Sequence, residues 1–420
     1  MNRFLMIVIA SLGWIACSDD GAKEEPLIIL PGTNNDTGSN NANNTIADNN
    51  TTGETNNGTT PIEQPPREEI VELLDTELTT GFDGNSVELT FEVPENTISV
   101  MVVAVGEYPT YWTLSGWRNG DDSAVVTPGW ITSDQGSPSL CLSCPQRISA
   151  SDGAFAAILP GNPNVAVVPG THKVNLYSFV QSGFSFSPGT HSAQVQVFAR
   201  VEAAEPTTGV LDMNLWFTGA EGWTAETAKT DQTFQNLLAE VNRVYAQVNV
   251  ELGNITYNDV EGDYRVIENL IRSSTDLAEM FEQSARAPQD AVNVFFVDEL
   301  LQGNGPGGFG VILGISGGIP GPANMLGTSK NGVAIAVKPN PQAPSNSAHV
   351  MAHEVGHYLG LFHTSEQNFG GGQQIHDQLV DTPENNMTYL MHNSGAGTTL
   401  SPNQGRTMRL NHWMRTGDAQ

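Results

Sequence analysis

His353, Glu354, His357, Gly360 and His363 lie in one short stretch of the chain. Imidazoles four positions apart stack on one face of a helix, and a neutral ring nitrogen is a good ligand for zinc. Glu354 lies beside that face but not on it. A carboxylate placed there can act on water near a metal without taking a coordination place. Gly360 has a mechanical reason. The helix must stop and the chain must reverse before a third ligand can approach from outside, and glycine adopts the left-handed backbone this needs at low cost. His363 then follows as the third ligand. Three protein ligands leave a fourth position open, which marks a catalytic rather than a closed structural zinc. The expected chemistry is metal-assisted hydrolysis with Glu354 as general base. A five-residue His-Glu-x-x-His arises by chance often enough, but with Gly360 and His363 in register a chance match falls to about one in ten thousand. His172, His191, His349 and His412 are read as ordinary core or surface residues.

These residues need a helix and a sheet to carry them. Val350, Met351, Val355 and Tyr358 supply the apolar packing of the helix, and Ser345 or Asn346, just after Pro344, is its expected cap. Upstream, from Pro206 onwards, strand-like and helix-like patterns alternate. Leu211, Met213, Leu215 and Phe217 alternate as a strand; Phe234, Leu237, Leu238 and Val241 fall on one face of a helix starting near Asp231. A strand near Val250–Thr256, a helix near Ser274–Ser284, a buried central strand over Ala291–Val297 and a strand over Val333–Val337 follow. This order predicts a twisted mixed sheet with helices packed on it. An irregular edge strand near Phe309–Ile315, inside a Gly- and Pro-rich stretch, would hold an extended peptide by strand addition.

Residues 67–205 read differently. Val87, Leu89, Phe91 and Val93 alternate with polar neighbours, as do Ala193, Val195, Val197, Ala199 and Val201, and turn chemistry such as Pro160-Gly161-Asn162-Pro163 separates the runs. Short alternating strands of this kind predict an all-β, sandwich-like domain. The fold class expected for the whole is therefore α+β, with the catalytic domain at 206–420. No catalytic constellation is visible in the β region.

The N-terminus carries an address. Arg3 is followed by an apolar stretch, Phe4–Ala16, and then Cys17; a small residue before a cysteine at that place resembles a bacterial lipoprotein processing site. Residues 1–16 are thus expected to be a signal peptide, Cys17 the lipidated residue, and 17–66 a disordered tether dominated by Asn, Thr and Gly, too poor in apolar residues to offset chain entropy. The location this implies is the cell envelope of a bacterium, lipid-anchored, or secretion if Cys17 is not acylated. Cys141 and Cys144 are the other two cysteines, and export makes a local disulfide the expectation. The formal net charge of −29, from 17 basic and 46 acidic residues, repels a phosphate backbone and argues against nucleic acid as a partner.

The stretch from His353 to His363 matches the signature His-Glu-x-x-His-x-x-Gly-x-x-His and so resembles the metzincin zinc peptidases. The resemblance covers roughly residues 209–415. His363-Thr364-Ser365-Glu366 with the later Asp381-Thr382-Pro383 is similar to the pappalysin-like branch, and Tyr389-Leu390-Met391-His392 leading into Leu400-Ser401-Pro402 resembles the Met-turn and following helix of secreted bacterial members. The family implies Met391 as the methionine beneath the zinc ligands; Met387, with Tyr389 near the metal, is the competing assignment. Asp377 and Asp381 are candidate calcium ligands, since oxygen-rich loops suit that ion, or else loop caps. The activity the resemblance implies is zinc-dependent hydrolysis of peptide bonds in a protein or peptide substrate. Two other readings stand beside it: a surface-binding or adhesion lipoprotein with a non-catalytic zinc site, and a hydrolase of a non-peptide amide.

Overall fold

The computed structural model describes residues 15–18, 69–127, 146–182, 185–270, 274–301, 311–338, 347–367, 374–395 and 397–417. Strand β1 is Ile15–Ser18. The N-terminal region then runs β2 (Ile70–Thr79), β3 (Leu89–Val93), β4 (Thr97–Gly106), β5 (Tyr111–Arg118), β6 (Ala124–Val126), β7 (Ser151–Asp152), β8 (Ala154–Leu159), β9 (Gly170–Ser182), β10 (Ser185–Pro188) and β11 (Ser192–Val201). The C-terminal region runs β12 (Gly209–Phe217), α1 (Gln232–Ala246), β13 (Val250–Asp259), β14 (Val266–Ile267), α2 (Thr275–Glu282), β15 (Val292–Val297), β16 (Glu299–Leu301), β17 (Val311–Ser316) and β18 (Val333–Ala336). It ends with α3 (Ser347–Tyr358), β19 (Ser365–Gln367), β20 (Gln374–His376), α4 (Pro402–Leu410) and β21 (Met414–Thr416).

In the N-terminal region two antiparallel sheets face each other. One has the order β10-β9-β5-β6, with β3 also on β9 and β7 on β5; the other has the order β2-β11-β4-β8. Alternate residues of both, such as Val100, Val102 and Ala104 from β4, Trp112 and Leu114 from β5, and Val195 and Val197 from β11, form one core. Period-two side-chain alternation is what lets each strand give one face to that core. Val87 lies outside β3 and is exposed, so the alternation there begins at Leu89.

The C-terminal region is built on a mixed sheet. β13, β12, β15 and β18 are parallel neighbours, and β17 runs antiparallel to β18. Helices α1 and α2 start where a side chain caps them: Asp231 accepts from the Phe234 N–H at 2.8 Å and Ser274 from Leu277 at 3.4 Å. Val292, Val294 and Phe296 of β15 face the same core as α1 and α3, while Phe295 and Val297 face α2. The sheet is thus covered on both sides, and β15 reads as an unbroken apolar run for that reason.

The two regions share a core. Met101 and Val103 of β4 and Ala156 and Ile158 of β8 point away from the N-terminal core and join the cluster that contains α1 and α3. The sheet β2-β11-β4-β8 is therefore buried on both faces along β4 and β8. The expected boundary near residue 206 lies between β11 and β12, and one hydrophobic cluster draws residues from both sides of it. Arg200 on β11 reinforces the junction, donating from Nη1 to the Arg409 carbonyl at 2.7 Å and the Asn411 carbonyl at 3.1 Å. Fully buried Lys330 and Asp152 form an ion pair across it. Among the described residues no helix is long and apolar enough to cross a membrane.

Candidate metal centre

α3 carries His353, Glu354 and His357, all buried. The helix is pinned from behind by Tyr245 of α1, whose hydroxyl donates to the Ala352 carbonyl at 2.9 Å. Its end follows the expected mechanics. Gly360 has φ +100°, its N–H donates to the His357 carbonyl at 2.8 Å, and the Leu361 N–H donates to the Gly356 carbonyl at 3.0 Å. This pair of bonds is a Schellman termination. It turns the chain so that His363 comes back towards the helix. Ser345 and Asn346, the expected caps, lie outside the described residues.

The three imidazoles converge. His363 Nε2 lies 3.2 Å from His353 Nε2 and 3.2 Å from His357 Nε2. Each opposite ring nitrogen has an acceptor: His353 Nδ1 donates to the Leu390 carbonyl at 2.5 Å, His357 Nδ1 to the Leu361 carbonyl at 2.6 Å, and His363 Nδ1 to Glu366 Oε2 at 3.0 Å. Since carbonyl and carboxylate oxygens only accept, the proton of each neutral ring is on Nδ1, and each Nε2 turns a lone pair inwards. Lone pairs facing one another repel unless a cation sits between them. Tetrahedral nitrogen ligands about 2.05 Å from zinc stand roughly 3.3 Å apart, which the observed spacing fits. Among the described residues this is the one group of histidine, cysteine or acidic side chains close enough to hold a metal ion.

The electrostatics keep His353 and His357 neutral. Burial, reinforced by neighbouring His363, pushes the His353 imidazole down to about 3. Burial and the two adjacent imidazoles hold His357 well below the usual range. Burial opposes ionisation of Glu366, but the Arg147 guanidinium and the hydrogen bond with His363 outweigh it and hold this carboxyl well below the usual carboxylate range.

Met391 is fully buried, and a Cβ built on Gly356 would lie 2.7 Å from its sulfur. The methionine therefore sits against α3 between the turns that carry His353 and His357. Its carbonyl accepts from the Thr364 N–H at 2.7 Å, which ties it to the residue after His363. Met387, the competing residue, is 57% exposed, and Tyr389 donates to the Asp381 carbonyl at 3.2 Å.

The two aspartates behave as loop caps. Asp381 accepts from Ser401 Oγ at 2.9 Å with Oδ1 and from the Asn403 N–H at 2.9 Å with Oδ2, so it holds the start of α4. Asp377 accepts from the Leu379 N–H at 3.2 Å and from Thr382 Oγ1. Asp381 uses both oxygens and Asp377 its Oδ1 in these loop hydrogen bonds, and among the described residues no group of metal-ligating side chains includes either aspartate, so calcium is not supported here. Cys141 and Cys144 lie outside the described residues, and Cys17 is described only as part of β1.

β17 is positioned as the expected edge strand, starting at Val311. Gly314, Ile315 and Ser316 pair with β18 on one side, and the same residues pair antiparallel with Cys17, Ala16 and Ile15 of β1 on the other. The outer edge thus accepts an extended segment of chain. Two residues at the site went unassigned from sequence: Glu366, whose signal was a carboxylate three places after the third histidine, and Arg147, which had none beyond being basic in an acidic chain.

The family model Reprolysin_5, described as metallo-peptidase family M12, matches residues 216–404, under half of the chain. With the three-histidine group, this match supports a metallopeptidase. No curated protein matches the chain. Among solved structures, the chain is similar to metalloproteinase-II from Bacteroides fragilis at 14% identity, over 56% of this chain and 65% of that one, with a TM-score of 0.30. It is also similar to a family two carbohydrate esterase from Clostridium thermocellum, at 13% identity over 52% and 61% with a TM-score of 0.15. A third likeness is to the acetyl xylan esterase Est2A from Butyrivibrio proteoclasticus, at 13% identity over 64% and 71% with a TM-score of 0.16. This chain spans less than two thirds of the length of the first two, and at these TM-scores none of the three likenesses carries an argument about fold or chemistry.

Proposed function

We propose that the chain is a zinc-dependent endopeptidase of the metzincin type, pappalysin-like in its loops, with His353, His357 and His363 as zinc ligands and Glu354 as general base. The observation that carries this is the convergence of three Nε2 atoms whose opposite ring nitrogens are all held by acceptors. When bound, zinc supplies Lewis acidity, lowering the pKa of water and polarising a scissile carbonyl. Glu354, on the same helix and buried beside the ligands, takes the proton of the attacking water and passes it to the leaving amine. Met391 backs the ligand-bearing helix. The outer edge of β17 binds an extended peptide by strand addition, and its antiparallel pairing with β1 supports that use.

The apolar N-terminal stretch ending at Cys17, and the Asn- and Thr-rich segment after it, support a lipid-anchored enzyme held away from a bacterial envelope membrane. The test compares zinc content and cleavage of a mixed peptide library by the full chain and by Glu354→Gln. The variant keeps zinc near one per chain and loses roughly a hundredfold to ten-thousandfold in rate. Removal of zinc by a chelator abolishes wild-type cleavage, and added zinc restores it. A wild type that binds zinc but cleaves no member of the library would shift the reading to a binding lipoprotein.

A further inference from the structure

We propose that Arg147 is a positioning residue for the metal centre, reaching from the N-terminal region through Glu366 to His363. The inference rests on the zinc reading above and adds a residue from outside the matched segment. Glu366 bridges two partners with its two oxygens. Oε2 accepts from His363 Nδ1 at 3.0 Å, and Oε1 pairs with the Arg147 guanidinium. Arg147 is 4% exposed. Its guanidinium also lies over the Phe362 ring, 4.3 Å from the centroid, and its backbone N–H donates to Gln378 Oε1 at 3.2 Å. One side chain therefore grips the metal loop immediately before and shortly after His363.

The three ligands differ in what holds them. His353 and His357 lean on the carbonyls of Leu390 and Leu361, which the backbone fixes. His363 leans on a side-chain carboxylate, which has rotamers of its own and must be fixed by something else. An ionised carboxylate behind a ligating imidazole sets the ring's orientation and raises its basicity. Arg147 keeps that carboxylate aimed, because its planar, pre-organised guanidinium pairs with Oε1 from a fixed, buried position. The N-terminal β region thereby completes the metal centre.

The test is zinc affinity, measured on the metal-free full chain by competition with a chromogenic chelator. Glu366→Gln and Arg147→Gln each weaken zinc binding about 10- to 100-fold. Arg147→Lys, which keeps the charge without the fork, recovers part of the loss. The double variant Arg147→Gln/Glu366→Gln binds no more weakly than Glu366→Gln alone, because the arginine acts through the carboxylate. Ser149→Ala is the control: it removes a 2.9 Å hydrogen bond to the Ile319 carbonyl at the same junction without touching Glu366, and it binds zinc like wild type. Wild-type affinity in both Arg147 variants would overturn the inference and leave the zinc reading standing. So would losses in the double variant that multiply, or an equal loss in Ser149→Ala. A wild type with no affinity for zinc would instead remove the reading on which the inference rests.

Discussion

Gly314 gives Glu354 the room it occupies. A Cβ at this position of β17 would stand 2.5 Å from Glu354 Cγ and 2.7 Å from Val350 Cγ1. Real Cβ atoms do not approach so closely, so any other residue would push the edge strand and α3 apart or turn the carboxylate. Gly314→Ala should therefore keep its zinc, since no ligand is touched, and lose about 10- to 100-fold in kcat through misplacement of Glu354. Zinc content and steady-state kinetics on one preparation check this. Full activity in the variant would mean that Glu354 needs no such fit.

The ion pair between Asp152 and Lys330 joins the two regions with both side chains fully buried. Removing one partner of a buried pair strands the other charge and costs about 3–5 kcal/mol, whereas replacing both with apolar groups costs far less. Lys330→Met should lower the denaturant midpoint markedly, and Asp152→Leu/Lys330→Met should recover most of the loss. Equal midpoints for the single and double variants would contradict a pair shielded from water.

Burial pushes the Asp377 carboxyl up to about 7, well above the usual carboxylate range. The folded state thus holds this proton more tightly than the unfolded one. Its contribution to stability is complete below about pH 4 and is lost as pH rises through about 7. Asp377→Asn keeps Oδ1 as acceptor for Leu379 and Thr382 and cannot ionise. It should match wild type near pH 4 and be more stable at pH 8, by on the order of 2–4 kcal/mol. Melting curves at the two pH values decide it, and a variant less stable than wild type at pH 8 would reverse the sign.

The histidine-bearing helix was legible in sequence because its logic is local. His353 and His357 are one helical turn apart, and Gly360 supplies the one backbone conformation that returns His363 to them. Met391 was favoured over Met387 because the sequence after it resembles the run into the last helix, and the structure buries Met391 against α3 while Met387 is exposed. Arg147 and Glu366 were not, because their contact joins residues far apart in the chain and leaves no period or motif behind. Asp152 and Lys330 are silent for the same reason. The alternation of β4 showed a strand but not that both of its faces would be covered, since an unbroken apolar run does not name its neighbours.

Anchoring has its own test. If Cys17 is acylated, Cys17→Ser should move the protein from the membrane fraction to the soluble fraction, with unchanged zinc content. Detergent-phase partitioning of the two forms measures it, and identical partitioning would end the lipoprotein reading.

β4 and β8 give one face to their partner sheet and the other to α1 and α3. Cutting the chain before residue 206 would not release a finished folding unit. It would lay open the apolar floor on which Met101, Val103, Ala156 and Ile158 rest, and such newly bared surface invites aggregation. The β layers are thus masonry rather than luggage. Any attempt to graft the C-terminal region onto another scaffold, or to shorten it for expression, has to carry that wall along.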